Sequence, residues 1–540
     1  MGAGGALMGG RNRRDFLASA ALPLLGCDSP REISGGFVGA RFERGHLLRA
    51  PASSSDRVTM PRTRVLIVGG GVAGLASARA LRLRGMDDFR LLELEDTAGG
   101  NSRSAHIKGV ACPLGAHYLP VPGDNAPVVQ DLLEELGLRQ RRAGRWVMDE
   151  RHLCHSPQER LFFKGHWQDG LLPLHEVGAP ALDAYRRFEQ KVQALSRAAS
   201  FQLPMTNRAL MPVQRALDAI TFEAWLAQHQ LLEPHLRWYL DYCCRDDYGA
   251  GIATVSAWAG IHYFASRHGF HAPQAEAGRS NEVESAVLTW PEGNAWLTQR
   301  LAAPLGDRVR AGRVVTRVAV GKHGVDVEAF DAATQRSERW QADQVVMAVP
   351  LFIAQRVLEQ PPPALTEAAA LMRYAAWMVA NVHLDQALHD RPGAAPSWDN
   401  VIYNDAADTE ALGYVDPMHQ SLQPVPAATV LSCYRALGIG RTQRQNLLTL
   451  PWTHWRDVVL GELSVPHPDV RRKATHIEVM RYGHAMSTPV PGVRSSAALA
   501  ALRQPQPAPW QRLHFAHSDL AAYSVFEEAF TLGHQCGMRA

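Results

Sequence analysis

The sequence has no run of 18 or more apolar residues, so no segment reads as a membrane-crossing helix. It has no CxxC pair and no His/Cys spacing of a zinc site, and no bound metal is expected. It has little excess charge: 56 Lys and Arg stand against 53 Asp and Glu, a formal +3. The longest basic piece, at 139–142, reads as a solvated turn. That distribution speaks against a nucleic-acid partner. No internal repeat is present. Cysteine is scarce, 7 in all: Cys27, Cys112, Cys154, Cys243, Cys244, Cys433 and Cys536. Most of these read as buried free thiols.

What is present is the composition of a globular protein, 46% hydrophobic and 20% charged. The 540 residues suffice for two or more domains at about 100–200 residues each. The first 27 residues read as a targeting signal. Arg13 and Arg14 precede Phe16 and Leu17, an apolar stretch too short to span a bilayer follows, and Leu24-Leu25-Gly26-Cys27 closes it. Paired arginines of this kind resemble a twin-arginine export signal, and the closing tetrapeptide resembles a lipobox. The resemblance implies a periplasmic protein attached to the inner membrane through a lipidated Cys27. Residues 28–61, rich in Gly, Ser, Arg and Pro, read as a flexible tether.

The folded body begins at Arg62. Residues 65–68 are a fully apolar run, the pattern of a buried parallel strand. Residues 72–84 have helical spacing with small side chains, Gly85 supplies a stop, and 89–92 read as a second strand. Between the first strand and the helix stands Gly69-Gly70-Gly71-Val72-Ala73-Gly74, a G-x-G-x-x-G turn. Gly69 permits the tight turn, Gly71 lets backbone approach a diphosphate, and Gly74 permits close helix–strand packing. Val72 and Ala73 open the helix, whose free N–H groups and dipole favour negative charge. Glu93 ends the second strand, where its carboxylate can accept bonds from ribose hydroxyls.

The stretch from Glu93 to Gly100 resembles the E-x5-G-G element of the flavin amine oxidase superfamily, with Gly99 and Gly100 as the glycine pair. Further elements follow in that family's order. Gly115-Ala116-His117-Tyr118 resembles its loop beside the flavin, and the segment from Pro291 to Leu297 its P-x-G-G-x-x-x-L element. Val315-Thr316-Arg317-Val318 resembles the strand whose first valine meets adenine. Phe515 to Asp519 resembles its closing strand, and Glu527-Glu528-Ala529 with Gly533 its E-G-A-x-x-x-G helix. The resemblance implies an α/β fold: a doubly wound, Rossmann-like FAD-binding domain interleaved with an α+β substrate domain. The FAD parts fall at 62–130, 285–350 and 501–540, and the substrate parts at 131–284 and 351–500. It implies non-covalent FAD held by Gly69, Gly71, Val72, Ala73, Gly74, Glu93, Gly99, Gly100, Asn101, Val315, Asp519 and Glu527.

Several positions depart from the family pattern. Asn101 replaces an arginine after the glycine pair, and His517 and Glu528 replace glycines. Asn381, in Asn381-Val382-His383-Leu384, is the best match to the lysine that holds a water at the flavin. An uncharged residue there leaves the acceptor open between oxygen and a quinone. The other candidates for the reaction are His117 and Tyr482, the latter in Tyr482-Gly483-His484-Ala485-Met486, which resembles the family's aromatic pocket wall. Asp246 and Asp247 read either as a lure for a polyamine's distal ammonium or as a helix cap or ion pair. His262, His268 and His271 read as packing or solvent-facing, and Trp377 and Trp398 as core. The reading is an FAD-dependent oxidoreductase that takes hydride from a small amine, polyamines among the candidates, to flavin N5. A C–C desaturase of an apolar substrate and a flavin-bearing envelope lipoprotein without turnover are the alternatives.

Overall fold

The structure is a computed structural model that describes residues 1–2, 32–49, 57–205, 208–267, 269–273, 286–404, 410–420 and 428–540. Apart from Met1 and Gly2, the signal at 1–27 lies outside the described residues, as does His268.

Segments far apart in the chain build one sheet. Its parallel part orders Val309–Arg310, Phe89–Leu92, Thr63–Val68 and Arg336–Met347, with Leu513–Phe515 also pairing the last strand. Val65 to Val68 are buried on both faces, which is why the run is continuously apolar. The long Arg336–Met347 strand continues into an antiparallel meander with Val325–Asp331 and Arg313–Val320. The helix Val72–Leu83 covers one face, and Gly85 leaves it at φ +74°.

The C-terminal helix Phe526–Arg539 lies directly on that helix. Two glycines permit the approach. A Cβ at Gly533 would stand 2.1 Å from the Ala73 carbonyl, and one at Gly537 would stand 2.3 Å from the Ser77 carbonyl. The Ser77 hydroxyl donates to both Ala73 O (2.9 Å) and Gly533 O (2.8 Å), pinning the pair.

A second sheet carries the substrate side. Its order is Ser34–Val38, Ala474–Ser487, Tyr374–Leu384, Thr429–Gly438, Ala411–Val415, Asp399–Ile402, Glu159–Phe163 and His166–Asp169. The strand Tyr374–Leu384 is buried along its full length. Helices Ala179–Ala198, Pro234–Tyr248 and Ala257–Ala265 pack over this side around Phe188, Phe222, Trp258 and Tyr248. The two architectures together are the expected α/β fold with an α+β partner.

Two local expectations fail. Residues 139–142 form a strand, paired with Arg145–Met148, in which the Arg139 guanidinium stacks on Trp146 at 4.0 Å. The segment read as a flexible tether contains the edge strand Ser34–Val38 and the helix Phe42–His46. Ile33 and Leu48 are buried, so apolar anchors override the loop-like composition. The six cysteines from Cys112 to Cys536 are free thiols. No helix among the described residues is long and apolar enough to cross a membrane.

The glycine contact gives a direct test. Gly533→Ala should destabilise by about 1–3 kcal/mol through overpacking, read as a lowered denaturant midpoint. Gly461 lies inside the helix Trp452–Leu463 with nothing within 4 Å of its added Cβ. Gly461→Ala should instead stabilise by about 0.5–1 kcal/mol.

Candidate flavin site and substrate chamber

Two glycine loops meet at the end of the first strand. Gly69 holds φ +102°, and a Cβ there would lie 2.4 Å from Ala348 O. At Gly74 the Cβ would lie 1.9 Å from Gly69 O, so the turn closes only with glycine at both places. The second loop approaches from the other side: Gly99 N–H donates to Gly70 O at 2.8 Å, and Gly100 sits against the Gly71 Cα. The Glu93 carboxylate joins the loops, accepting Gly70 N–H at 2.6 Å and Glu95 N–H at 2.8 Å. Burial pushes the Glu93 carboxyl above its ordinary range, against the pull of those two amides. The loops leave one cavity of about 470 Å³ lined by Gly69, Gly71, Val72, Ala73, Glu93, Gly99, Gly100 and Asn101. Gly74 packs behind it. Backbone N–H groups at a helix start, two close loops and an adjacent carboxylate fit a dinucleotide diphosphate and its ribose.

The same cavity is lined by Val315, Asp519 and Glu527. Val315 lies beside a β-bulge in its strand. Asp519 Oδ2 accepts from Leu351 N–H (2.9 Å) and the Tyr374 hydroxyl (2.6 Å), and His517 Nδ1 is 3.1 Å from Oδ1. Burial opposes its charge, but His517 and these donors outweigh it and hold the carboxyl below its ordinary value. Burial pushes Glu527 up to about 7. Glu528, where the family pattern has glycine, is fully buried and accepts Met205 N–H and the Tyr523 hydroxyl (2.6 Å).

Asn101 donates from Nδ2 to Ala485 O at 2.5 Å, and its own carbonyl accepts Ala116 N–H at 2.9 Å. It ties the glycine loop to two walls of the cavity. Arg103 does not take over as a cation facing the cavity. It bonds Gly100 O at 3.0 Å and pairs with Glu95 at 3.5 Å.

Beyond the loops the cavity widens into an aromatic chamber. His117 stacks on Tyr434 at 4.4 Å and lies 5.4 Å from Trp398. Burial holds its imidazole down to about 4, so it is neutral at ordinary pH. Gly293, at φ +60°, and Asn294, which donates to Tyr118 O at 2.8 Å, fix the loop carrying His117. Tyr482 lines the chamber and donates to Leu114 O at 3.0 Å. Burial pushes its phenol up to about 12. His484 and Met486 also line it.

Asn381 is a correction. It does not line the cavity. Its Nδ2 donates to Pro113 O at 2.9 Å and its Oδ1 accepts the Ser432 hydroxyl at 2.6 Å, both fully buried. Trp377, read as core, lines the chamber on the same strand, opposite Tyr482. The two share a strand face, but Asn381 lies four residues on, about 13 Å away at about 3.3 Å per residue. Tyr434, Tyr374 and Arg267 escaped the sequence reading. They stand alone in apolar runs or at a helix end, with no spacing to mark them.

The acidic pair divides. Asp247 is an ion pair, both carboxylate oxygens 3.0 Å from Arg267 Nη2. Asp246, Asp247 and Arg267 all line the cavity, and Asp246 is the one without an arginine partner there; burial, then Asp247, pushes its carboxyl up to about 7. Behind it stand Asp399 and Glu159, register partners on neighbouring strands. Burial raises both, Glu159 to about 7, and Asp399 is raised further by Asp246 and Glu159. His262 is buried against Trp258 and Gln202 O, and His271 lies 3.9 Å from Glu189.

Comparison with known proteins places this geometry. The family described as flavin containing amine oxidoreductase matches residues 72–536. The chain is 42% identical over 81 residues to the peroxisomal N(1)-acetyl-spermine/spermidine oxidase of Bos taurus, 15% of this chain and 16% of the relative. It is 24% identical over 307 residues to flavin-containing amine oxidase B of the same species, covering 55% of this chain and 52% of that protein. The chain thus spans about half, or much less, of these relatives' lengths. A putrescine oxidase bound to putrescine superposes with a TM-score of 0.63 at 18% identity, over 89% of this chain and 99% of that one. The chain belongs to the flavin-containing amine oxidoreductase family.

Proposed function

We propose that the chain oxidises an amine carrying a second positive centre, a diamine or polyamine. The carrying observation is the charge of the chamber's far end. Arg267 is matched by Asp247, which leaves Asp246 facing the cavity with Asp399 and Glu159 behind it. That balance attracts a distal ammonium. It disfavours an amino acid, whose carboxylate would need an unpaired cation, and a desaturase substrate, which would need an apolar groove.

The reacting end meets different surroundings. Trp377, Tyr434, Tyr482 and His117 are aromatic groups that stay neutral at ordinary pH. Removal from water there disfavours an ammonium and favours the free amine, the form that can lose hydride. FAD, when bound, takes up that hydride from the α-carbon. The resulting imine is hydrolysed by water to an aldehyde and ammonia, or to an aldehyde and a smaller amine where the oxidised nitrogen carries a second carbon, and no protein nucleophile takes part. No cysteine from Cys112 to Cys536 lines the cavity, which supports FAD held without a covalent bond. The acceptor we propose is dioxygen, because Asn381, the feature that spoke for a quinone, lies away from the cavity.

We further propose export by the twin-arginine route and attachment to the inner membrane through Cys27. The support is the sequence around Arg13 and Arg14 and a cradle assembled from distant segments. Such a cradle must fold before it holds FAD, and that route carries folded proteins.

Added without oxygen, a diamine should bleach the flavin absorbance, and air should restore it. Bleaching by apolar alkyl substrates alone, or by nothing, would overturn the amine reading, and bleaching without recovery in air would exclude dioxygen. Asp246→Asn should raise KM for a diamine about tenfold or more, the scale of a charge-assisted bond, with a smaller effect on a monoamine. In the native protein the diamine KM should rise as pH falls through about 7, because Asp246 gains its proton there. Asp246→Asn should remove that step. Replacing Arg13 and Arg14 by Lys should hold the protein in the cytoplasm, checked by fractionation, and unchanged export would refute the route.

A further inference from the structure

The segment just before the FAD domain is bonded to both halves of the flavin cradle. Arg41 N–H donates to the Glu95 carboxylate at 3.1 and 3.2 Å. Arg44 donates from Nη1 to Leu94 O at 2.9 Å and from Nη2 to Asp96 Oδ1 at 2.7 Å. These bonds grip the turn that directly follows Glu93. On the other side, Arg103 donates to Gly39 O at 3.2 Å and to Gly100 O at 3.0 Å, joining the segment to the glycine pair. Arg356 donates to Leu48 O at 2.8 Å. Gly45 and Leu48 line the same cavity as Gly71, Glu93 and Gly100. The strand Ser34–Val38, in register with Ala474–Ser487, anchors the segment at its start.

We propose that residues 39–49 are part of the FAD-binding apparatus, a strap whose Arg44 locks the turn after Glu93, so that FAD leaves only when the strap lifts. Arg44 is the lock rather than Arg41 because of solvent. The Arg41–Asp96 pair is 56% exposed at both ends, whereas Arg44 is 17% exposed. Exposed pairs contribute little, and a charge-assisted bond on a mostly covered guanidinium contributes more. Arg44 also holds a backbone carbonyl, which a screened ion pair would not replace. The strap reaches the chamber through the charges of His46 and Arg49 on His484, whereas the bonds of Arg44 fall on the turn after Glu93, so the effect of Arg44 falls on retention of the cofactor.

The test uses the full-length holoprotein and reads FAD release as the gain of flavin fluorescence after dilution. Arg44→Ala should release FAD about tenfold faster or more, Arg44→Lys should fall between, and Arg471→Ala, an exposed arginine on the Val470–Lys473 helix, should match the native rate. The apoprotein of Arg44→Ala should melt at the native temperature. If Arg44→Ala does not fold, deuterium uptake in the native protein decides: amides of 40–49 should exchange more slowly with FAD bound. A native release rate in Arg44→Ala, an apoprotein melting temperature lowered as much as the holoprotein's, or exchange at 40–49 indifferent to FAD would each overturn the strap.

Discussion

The site depends on how closely two backbone loops approach. Gly70 offers its carbonyl to Gly99 N–H and its own N–H to Glu93, so one residue links the first loop to the second loop and to the second strand. Gly100 is held to glycine there by its φ of +59° and by the 3.1 Å that would separate its Cβ from the Gly71 Cα. The surrounding packing serves the same approach. Gly533 and Gly537 let the C-terminal helix press on the helix that begins at Val72, and that helix aims its free N–H groups into the cavity. Asn101 then carries the position of the glycine loop to the chamber through Ala116 and Ala485. A displacement at the cradle would therefore be felt at His117.

Charge is handled differently at the two ends of the cavity. The arginines lining it are Arg267 and Arg313, and both are already matched, Arg267 by Asp247 and Arg313 by Asp331 and Glu338. The cofactor's diphosphate is thus left to backbone N–H groups and the helix dipole, which supply partial positive charge in fixed directions without a mobile guanidinium. This accounts for Asn101: an arginine there is unnecessary, and an amide that bridges two walls serves position instead.

The cradle was legible in the sequence because its parts are local. A strand, three glycines, a helix and an acid lie at spacings that only one turn geometry satisfies, and the later elements follow in a fixed order. The chamber was not legible in the same way, because long strands bring its residues together and period-two alternation says which face a residue occupies but not how far along. Asn381 and Trp377 share a face, and only the pairing of Trp377 with Tyr482 sets which one reaches the cavity. Composition misled at the described residues 32–49. A stretch rich in Gly and Ser still folds when a sheet edge accepts its backbone and a few apolar side chains find cover, as Ile33 and Leu48 do. The pair Asp246 and Asp247 supported both readings given to it. Both line the cavity, but Asp247 is neutralised there by Arg267 and Asp246 is not, so one serves as an ion pair and the other stays open to a cation.

That divergence places positive charge where the reaction can use it. A flexible cation with two amino groups would be held protonated at both ends in water. Inside, its far end would meet Asp246, whose carboxylate favours the ammonium once ionised, with Asp399, which burial holds well above its ordinary range, behind it. Its near end meets neutral rings, with an imidazole that burial holds unprotonated, and the same desolvation favours the free amine. A diamine would thereby be driven into two protonation states about a single carbon chain. The separation requires His117 to stay neutral and Asp246 to ionise over the same pH range, and their shifts, to about 4 and about 7, leave that range open above about 7.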